Sequence, residues 1–360
     1  MQTSADRTPV VNTLSTGRLP NHVPWILLAG CLALTSAAFA LFAMTDPDAE
    51  FNIAGAVFAG VVLYGIAIYL GSRLVEGRRR AADRLVTTLV SLAFVIALLP
   101  LISLLYTVVS SGLARFDLDF FTMSMRNVVG EGGGGLHAIV GTLLITLAAT
   151  VISVPIGLMT SIYLVEYGRG ALARAITFFV DVMTGIPSIV AGLFAYALFA
   201  LLLGPGVRLG IAGAVALSVL MIPVVVRSSE EMLRLVPNEL REASFALGVP
   251  KWLTIVKVVL PTSIAGIMTG VMLAIARVIG ETAPLLVAAG FTANMNYSLV
   301  EGRMASLPVF VYSSYVSQGT NAQASLDRAW AGALTLILIV MLLNLIARIV
   351  AKKLAPKFGR

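Results

Sequence analysis

Charge is what this chain has least of. Only 12% of its 360 residues are Asp, Glu, Lys or Arg, while 58% are hydrophobic; a soluble globular chain carries about 25% charged and about 45–50% apolar residues. That shortage, with a mean hydropathy of +0.95, excludes a water-soluble domain. There is a single cysteine, Cys31, so no internal disulfide can form, and the residue reads as a packing or lipid-facing side chain. The two histidines, His22 and His137, fall outside the interiors of the apolar runs, so no histidine metal site or base–nucleophile cluster can be built within them. No Gly-Lys dipeptide occurs anywhere. The run "GEGGGGLH" at 130–137 therefore lacks the lysine of a nucleotide-cradling loop and reads as a flexible external joint. The chain is expected to carry neither metal nor cofactor of its own.

Long apolar runs are what it has in their place. A membrane helix needs about 20 apolar residues, and a membrane barrel shows alternating segments of about ten. The runs here are of the first kind. Eight spans are predicted, at about 25–44, 53–72, 85–109, 137–163, 175–203, 209–226, 260–290 and 330–351, so the fold class is an all-α integral membrane protein. The formal charge of +7 could suggest nucleic acid, but the placement of the basic residues argues against it. With the N-terminus inside, 19 of the 25 Lys and Arg fall on the cytoplasmic side, as the positive-inside rule requires. Both termini are then cytoplasmic. Ala38-Phe39-Ala40 has the small-x-small form of a signal-peptide cleavage site, but the apolar run before it is longer than the usual 7–15 residues and few positive charges lead it. A retained first span is preferred.

Residues 1–84 read as a polar tail plus an added transmembrane hairpin, closed by Arg78, Arg79 and Arg80. Residues 85–360 hold six spans, external segments at about 110–136 and 291–329, and a cytoplasmic segment at 227–259 too long and too patterned to be a mere connector. There is no internal sequence repeat.

Three ionisable residues lie well inside the spans: Asp181, Arg277 and Glu281. Such residues cost about 2.5–3.5 kcal/mol at a helix centre on insertion scales and usually face protein or water. Arg277 and Glu281 are four apart, on one helix face with Gly266, Gly270 and Ala274. Arg277 lies on the order of 24 Å beyond Pro261 at about 1.5 Å per residue, and Gly280 and Pro284 weaken the helix there. Two readings fit. The pair forms an anion site, arginine offering several fixed donors to an oxyanion, or it is a structural salt bridge. Arg227 ends the sixth span as a second cation or as an ordinary interfacial anchor. In "DVMTGIPSIVAG", Asp181, Gly185, Ser188 and Gly192 share a face and Pro187 supplies a kink, which suits packing or gating.

The cytoplasmic segment contains "EASFALGVPKWLTIVKVVLP" at 242–261: a helix, a glycine turn, and a short second helix entering the next span at Leu260-Pro261. It resembles the EAA loop of ATP-binding cassette importer permeases. Glu242, Ala243 and Ser244, Gly248, Val258 and Leu260-Pro261 stand at the family spacing, with Ser and Val as mild departures. Together with "TGIPSIVAG", "RVIGETAPLL" and the external "GGGLHAIVGTLLIT", the chain is similar to the A-type permease of phosphate-specific transport systems over about 85–355.

That resemblance implies a six-helix type I permease core carrying the extra hairpin, in the cytoplasmic membrane of a bacterium. It also implies inorganic phosphate as cargo, a second homologous permease completing a heterodimer, an extracytoplasmic phosphate-binding protein, and a cytoplasmic ATPase dimer that holds the ATP and Mg. Arg227, Arg277 and Glu281 would serve phosphate passage, and Glu242, Ala243, Gly248, Leu260 and Pro261 the coupling to the ATPase. Another oxyanion such as sulfate, molybdate or phosphonate would fit the same class but is not associated with the "GETAPL" form. A cation-coupled symporter would need no EAA loop and usually shows repeated broken helices. An intramembrane enzyme would need a nucleophile and base that the spans do not supply.

Overall fold

The computed structural model describes residues 19–20, 22–45 and 52–354, and among the described residues there is no strand. Most of the polar tail, the acidic turn after Thr45 and the basic end beyond 354 lie outside the described residues, and so do the expectations placed on them. The chain divides into two compact units, residues 1–104 and 105–360.

The first unit holds α1 (Val23–Thr45), α2 (Ile53–Val75) and most of α3 (Arg78–Gly112). Asn52 caps α2 by accepting the Gly55 N–H at 2.8 Å, a favourable use of a short polar side chain at a helix start. Thr35 is buried between α1 and α2, and its hydroxyl donates to the Cys31 carbonyl at 3.0 Å. Cys31 is half-buried with a free thiol. Most apolar side chains of this unit stay exposed, Phe58, Phe94 and Ile102 among them, as hydrocarbon surroundings allow.

The second unit begins with a 3₁₀ turn at Leu113–Arg115 and the short α4 (Leu118–Thr122), then α5 (Leu136–Ile162), which runs into a π turn at Tyr163–Tyr167. There follow α6 (Gly170–Thr184), α7 (Ser188–Leu203), α8 (Gly210–Arg234), α9 (Asn238–Ala246), α10 (Lys251–Thr254) with a π turn at Ile255–Val259, α11 (Leu260–Val278), α12 (Ala283–Ala288), α13 (Leu307–Val316) and α14 (Ala322–Leu354). The core is α8 wrapped by α5 and α11, where Ile145, Leu217, Met221, Val225, Ile267 and Val278 are buried. The small residues of α11 serve that packing: Gly266 seats Met232 and Gly270 seats Ser228, both of α8.

Among the described residues seven helices are long and apolar enough to cross a membrane, or eight if the bent pair α6–α7 is one span, against the eight apolar runs. Three details differ from the sequence expectation. The run at 175–203 is no continuous span with a kink: α6 and α7 meet at 109°, because Gly185 ends one helix and Pro187, lacking an N–H, starts the next. The run at 260–290 ends as a helix at Val278 and resumes only as α12. The segment 291–329, read as an external connector, contains α13, whose first residues Leu307, Pro308, Val309 and Phe310 are buried.

Candidate functional site

Between α8 and α11 the segment at 238–259 folds as its spacing implied. Gly248 takes φ +77°, a left-handed conformation that glycine adopts without steric cost, and so reverses the chain from α9 into α10. The Ser244 and Thr254 hydroxyls meet across that turn at 2.8 Å, both buried. Glu242, Ala243 and Gly248 are exposed. Around them Leu247 is 83%, Leu235 72% and Trp252 62% exposed, large apolar side chains on and beside α9 and α10, and exposed apolar area of this kind suits a partner. Leu260 is half-buried and Pro261 exposed at the start of α11, directly after the π turn at Ile255–Val259.

The knob is not free to swing. Arg241, the residue before Glu242, donates Nε at 3.0 Å to the Glu166 carboxylate at the end of α5, Nη1 at 2.6 Å to the Val236 carbonyl and Nη2 at 3.0 Å to that of Leu233. The two charged side chains are 13% and 6% exposed. Lys251 sits 4.7 Å over the Tyr167 ring and donates to the Glu166 carbonyl. Sequence reading missed both Glu166 and Arg241: they stand 75 positions apart, and no local spacing joins them.

Two of the predicted charges meet where no spacing rule could place them. Arg227 of α8 donates Nη2 to Asp181 of α6 and Nη1 at 2.9 Å to Glu230, which also accepts from Arg234 at 2.6 Å. Glu230 is 8% exposed. Asp181 thus belongs to an ion cluster at the C-terminal end of α8 and not to a packing stripe. Glu230, three residues after Arg227, is a partner that helical spacing could have named.

Arg277 is the opposite case. The i,i+4 relation to Glu281 does not exist, because α11 stops at Val278 and the Glu281 N–H closes a turn onto the Val278 carbonyl at 3.1 Å. Among the described residues neither Arg277 nor Glu281 has a side-chain hydrogen bond or an ion pair. Arg277 is exposed and Glu281 half-buried, while Ala274 and Val278 beside them are fully buried. Arg277, still within α11, is exposed where Gly266 and Gly270 of the same face pack on α8. Gly270 touches Ser228, the neighbour of Arg227, so Arg277, seven residues on, lies about 10 Å farther along the helix axis at about 1.5 Å per residue. Two guanidinium groups stand at two levels along the packed helices, Arg227 ion-paired and Arg277 without a partner among the described residues.

The break that exposes Arg277 is held from the side. At Gly192 of α7 a Cβ would lie 2.5 Å from the Pro284 Cα and 3.0 Å from its carbonyl oxygen, so only glycine lets α12 approach this closely. Pro284 is buried there and Gly280 exposed. The segments "GIPSIVAG" and "GETAPL" thus meet in space. Near the start of α14, Arg328 is 5% exposed and donates Nη1 to the Gly130 and Gly132 carbonyls at 2.8 and 3.0 Å, pinning the glycine run. His137 is buried between Phe291 and Phe310. Neither residue forms part of a metal-holding group, and none is found among the described residues.

Three comparisons bear on this geometry. Residues 153–360 match the model of the binding-protein-dependent transport system inner membrane component family. The chain is 49% identical over 277 residues to the phosphate transport system permease protein PstA 1 of Mycobacterium tuberculosis, covering 76% of this chain and 90% of that protein. With PstA of Yersinia pestis it shares 41% over 279 residues, 76% of this chain and 92% of that one. Among solved structures, a bacterial alginate ABC transporter in complex with an alginate pentasaccharide-bound periplasmic protein superimposes with a TM-score of 0.56 at 12% identity, over 80% of this chain and all of that one. At that identity the likeness concerns the fold.

Proposed function

The chain belongs to the binding-protein-dependent transport system inner membrane components, in the family of PstA permeases, and from that premise we propose that Arg277 and Arg227 form its path for inorganic phosphate. It is a transporter subunit of an ATP-driven phosphate importer. On our reading it lies in a bacterial cytoplasmic membrane with both termini inside, and residues 85–360 supply half of the transmembrane path. A second, homologous permease supplies the other half. An extracytoplasmic phosphate-binding protein delivers the anion, and an ATPase dimer holding ATP and Mg binds the knob at Glu242, Ala243 and Gly248.

The observation that carries the site is the bare guanidinium of Arg277, exposed at the end of α11 with no carboxylate partner. An unpaired charge at that depth is costly, and a tetrahedral oxyanion offset by its donors removes the cost. Below it, Arg227 shares its charge with Asp181 and Glu230, so an anion passing inward meets a weaker site. Transport needs that descent, since a site must also let go. Closure of the ATPases on ATP would move the knob and with it the α5–α8–α11 core, changing the surroundings of Arg277 between outward and inward states.

The test is ATP-dependent uptake of labelled phosphate by vesicles holding the assembled transporter, wild type against Arg277→Gln, with ATPase association measured alongside. We expect uptake to fall roughly tenfold or more, the size of losing charge-assisted hydrogen bonds of about 1.5–3 kcal/mol, with association intact. Uptake at the wild-type level would remove Arg277 from the path, and labelled sulfate carried equally well would overturn phosphate as the cargo.

A further inference from the structure

The last long helix carries two polar side chains that crossing a membrane does not need. From Thr335 to Arg348 the chain reads "TLILIVMLLNLIAR", and between those two residues Asn344 is the one polar side chain. Asn344 and Arg348 are four apart on α14 and hence neighbours on one face. Both are exposed, and among the described residues neither has a side-chain hydrogen bond or an ion pair. Lys352 and Lys353 already stand in the last turn of α14 and suffice to anchor its end at a membrane surface. An anchor does not call for an unpartnered amide one turn earlier in the apolar run, where a polar group finds a partner or lines a path.

That face opens on a groove. α11 and α14 leave a cavity of about 370 Å³ between residues 269–276 of the one and 344–351 of the other. Ala276, Ala347 and Ala351 make the room, and Thr269, Asn344 and Arg348 supply the polar groups. Among the described residues no carboxylate lines it, so the charge of Arg348 is uncompensated there. Gly270 touches Ser228 beside Arg227 and Ala276 precedes Arg277. The groove therefore follows the stretch of α11 that separates the levels of those two arginines. Thr269 donates its hydroxyl proton to the Ala265 carbonyl at 2.9 Å, so towards the groove its oxygen can only accept. The lining thus combines the cationic donors of Arg348, an amide that both donates and accepts, and an acceptor with no proton left to give.

Granting the phosphate path proposed above, on which it rests, we infer that Thr269, Asn344 and Arg348 form a further contact for the transported anion, one that selects an oxyanion still carrying an acid proton. Inorganic phosphate keeps such a proton at neutral pH. Its P–OH donates to the Thr269 oxygen while its charged oxygens accept from Arg348 and Asn344. Sulfate has no proton to offer, and neither has the phosphodiester of a lipid headgroup. Either would set an oxygen against the Thr269 oxygen and leave that acceptor unpaired.

The experiment follows a thiol placed in the groove of the assembled transporter. Ala351→Cys, in a Cys31→Ser background that removes the native thiol, is held in phosphatidylcholine nanodiscs and treated with a membrane-impermeant thiol reagent. The labelling rate is read with no added anion, with inorganic phosphate, with sulfate, and again in nanodiscs containing phosphatidylglycerol. Phosphate should slow labelling severalfold and sulfate should not. Adding Arg348→Gln should raise the protecting phosphate concentration roughly tenfold, the size of losing a charge-assisted hydrogen bond, while Arg348→Lys should raise it much less. Thr269→Val should narrow the preference for phosphate over sulfate. Labelling untouched by phosphate, or slowed equally by sulfate, would overturn the proposal. Slowing by phosphatidylglycerol without phosphate would also overturn it and identify a lipid site. Phosphate uptake by the same variant in vesicles is measured alongside: uptake without protection sinks the groove alone, and no phosphate uptake by wild type sinks the phosphate reading with it. Should Ala351→Cys not assemble, Ala347→Cys reports on the same groove.

Discussion

Arg227 near the C-terminal end of α8 and Arg277 before the break after α11 are treated oppositely. Arg227 is enclosed by Asp181, Glu230 and, through Glu230, Arg234. Arg277, about two turns farther along the packed pair, has no partner among the described residues, and Glu281 after it faces elsewhere on a different local backbone. A charge inside an apolar region can be balanced from within or left for something that comes and goes. The pairing around Arg227 is the first solution and the bareness of Arg277 is the second. On the path proposed above, partner count more than the presence of arginine would separate a holding site from a releasing one.

Three experiments would break or sharpen that contrast. The largest effect should come from Gly192→Val, which places carbon against the Pro284 backbone and so disturbs the break beside Arg277 while leaving the Arg227 cluster alone. Overpacking at such a contact costs about 1–3 kcal/mol. Phosphate uptake should fall roughly tenfold or more with ATPase association retained; unchanged uptake would mean that the close approach of α7 to α12 does not matter for transport. A smaller effect should come from Asp181→Asn, which makes Arg227 more like Arg277. Exposed ion pairs are worth about 0.2–1 kcal/mol. The half-saturating phosphate concentration should therefore drop no more than about fivefold, with a lower maximal rate because the inner site releases more slowly. A rise in that concentration would place Arg227 outside the path.

The smallest effect on transport should come from Glu76→Gln, a fully paired charge in the other unit. Hydrogen bonds from Arg84, working against burial and helped by Ser72 and the Leu19 N–H, hold the Glu76 carboxyl well below its usual 4.5, at about 2. A carboxyl lowered on folding stabilises the fold above its unfolded pKa and loses that contribution as pH falls towards the folded one. The variant should thus unfold several degrees below wild type at neutral pH, and the gap should narrow from about pH 4.5 towards 2. Uptake should be unaffected. A gap that does not change with pH would show that Glu76 acts by shape and not by charge.

Much of this architecture is legible in the sequence, because hydrophobic run length and helical spacing are local properties. Apart from the runs at 175–203 and 260–290, the apolar runs, the glycine turn at Gly248 and the entry at Pro261 are short-range signals and appear where spacing puts them. The stripe of Gly266 and Gly270 is readable as a packing face, but the apposition of Arg277 to Glu281 is not. A helix that ends at Val278 cannot keep Glu281 in phase with Arg277. Asp181 with Arg227 and Glu166 with Arg241 are joined over 46 and 75 positions. Such pairs are set by how α6, α8, α9 and the end of α5 pack, which no single-segment pattern encodes. The 109° turn between α6 and α7 was underread because a proline in an apolar run more often bends a helix than divides it.

The clasp at Arg241 has a mechanical consequence. Its guanidinium ties α9 to the final turn of α5 through Glu166 and to the end of α8 through the Leu233 and Val236 carbonyls. Rotating α9 by itself would strip a nearly buried carboxylate of its counter-charge, and separating such a pair is among the more expensive local changes a protein can make. The stiffest route for a displacement applied at Gly248 is therefore through the membrane helices themselves. The knob behaves less as a hinged handle than as the protruding end of a beam whose other end is the α5–α8 core.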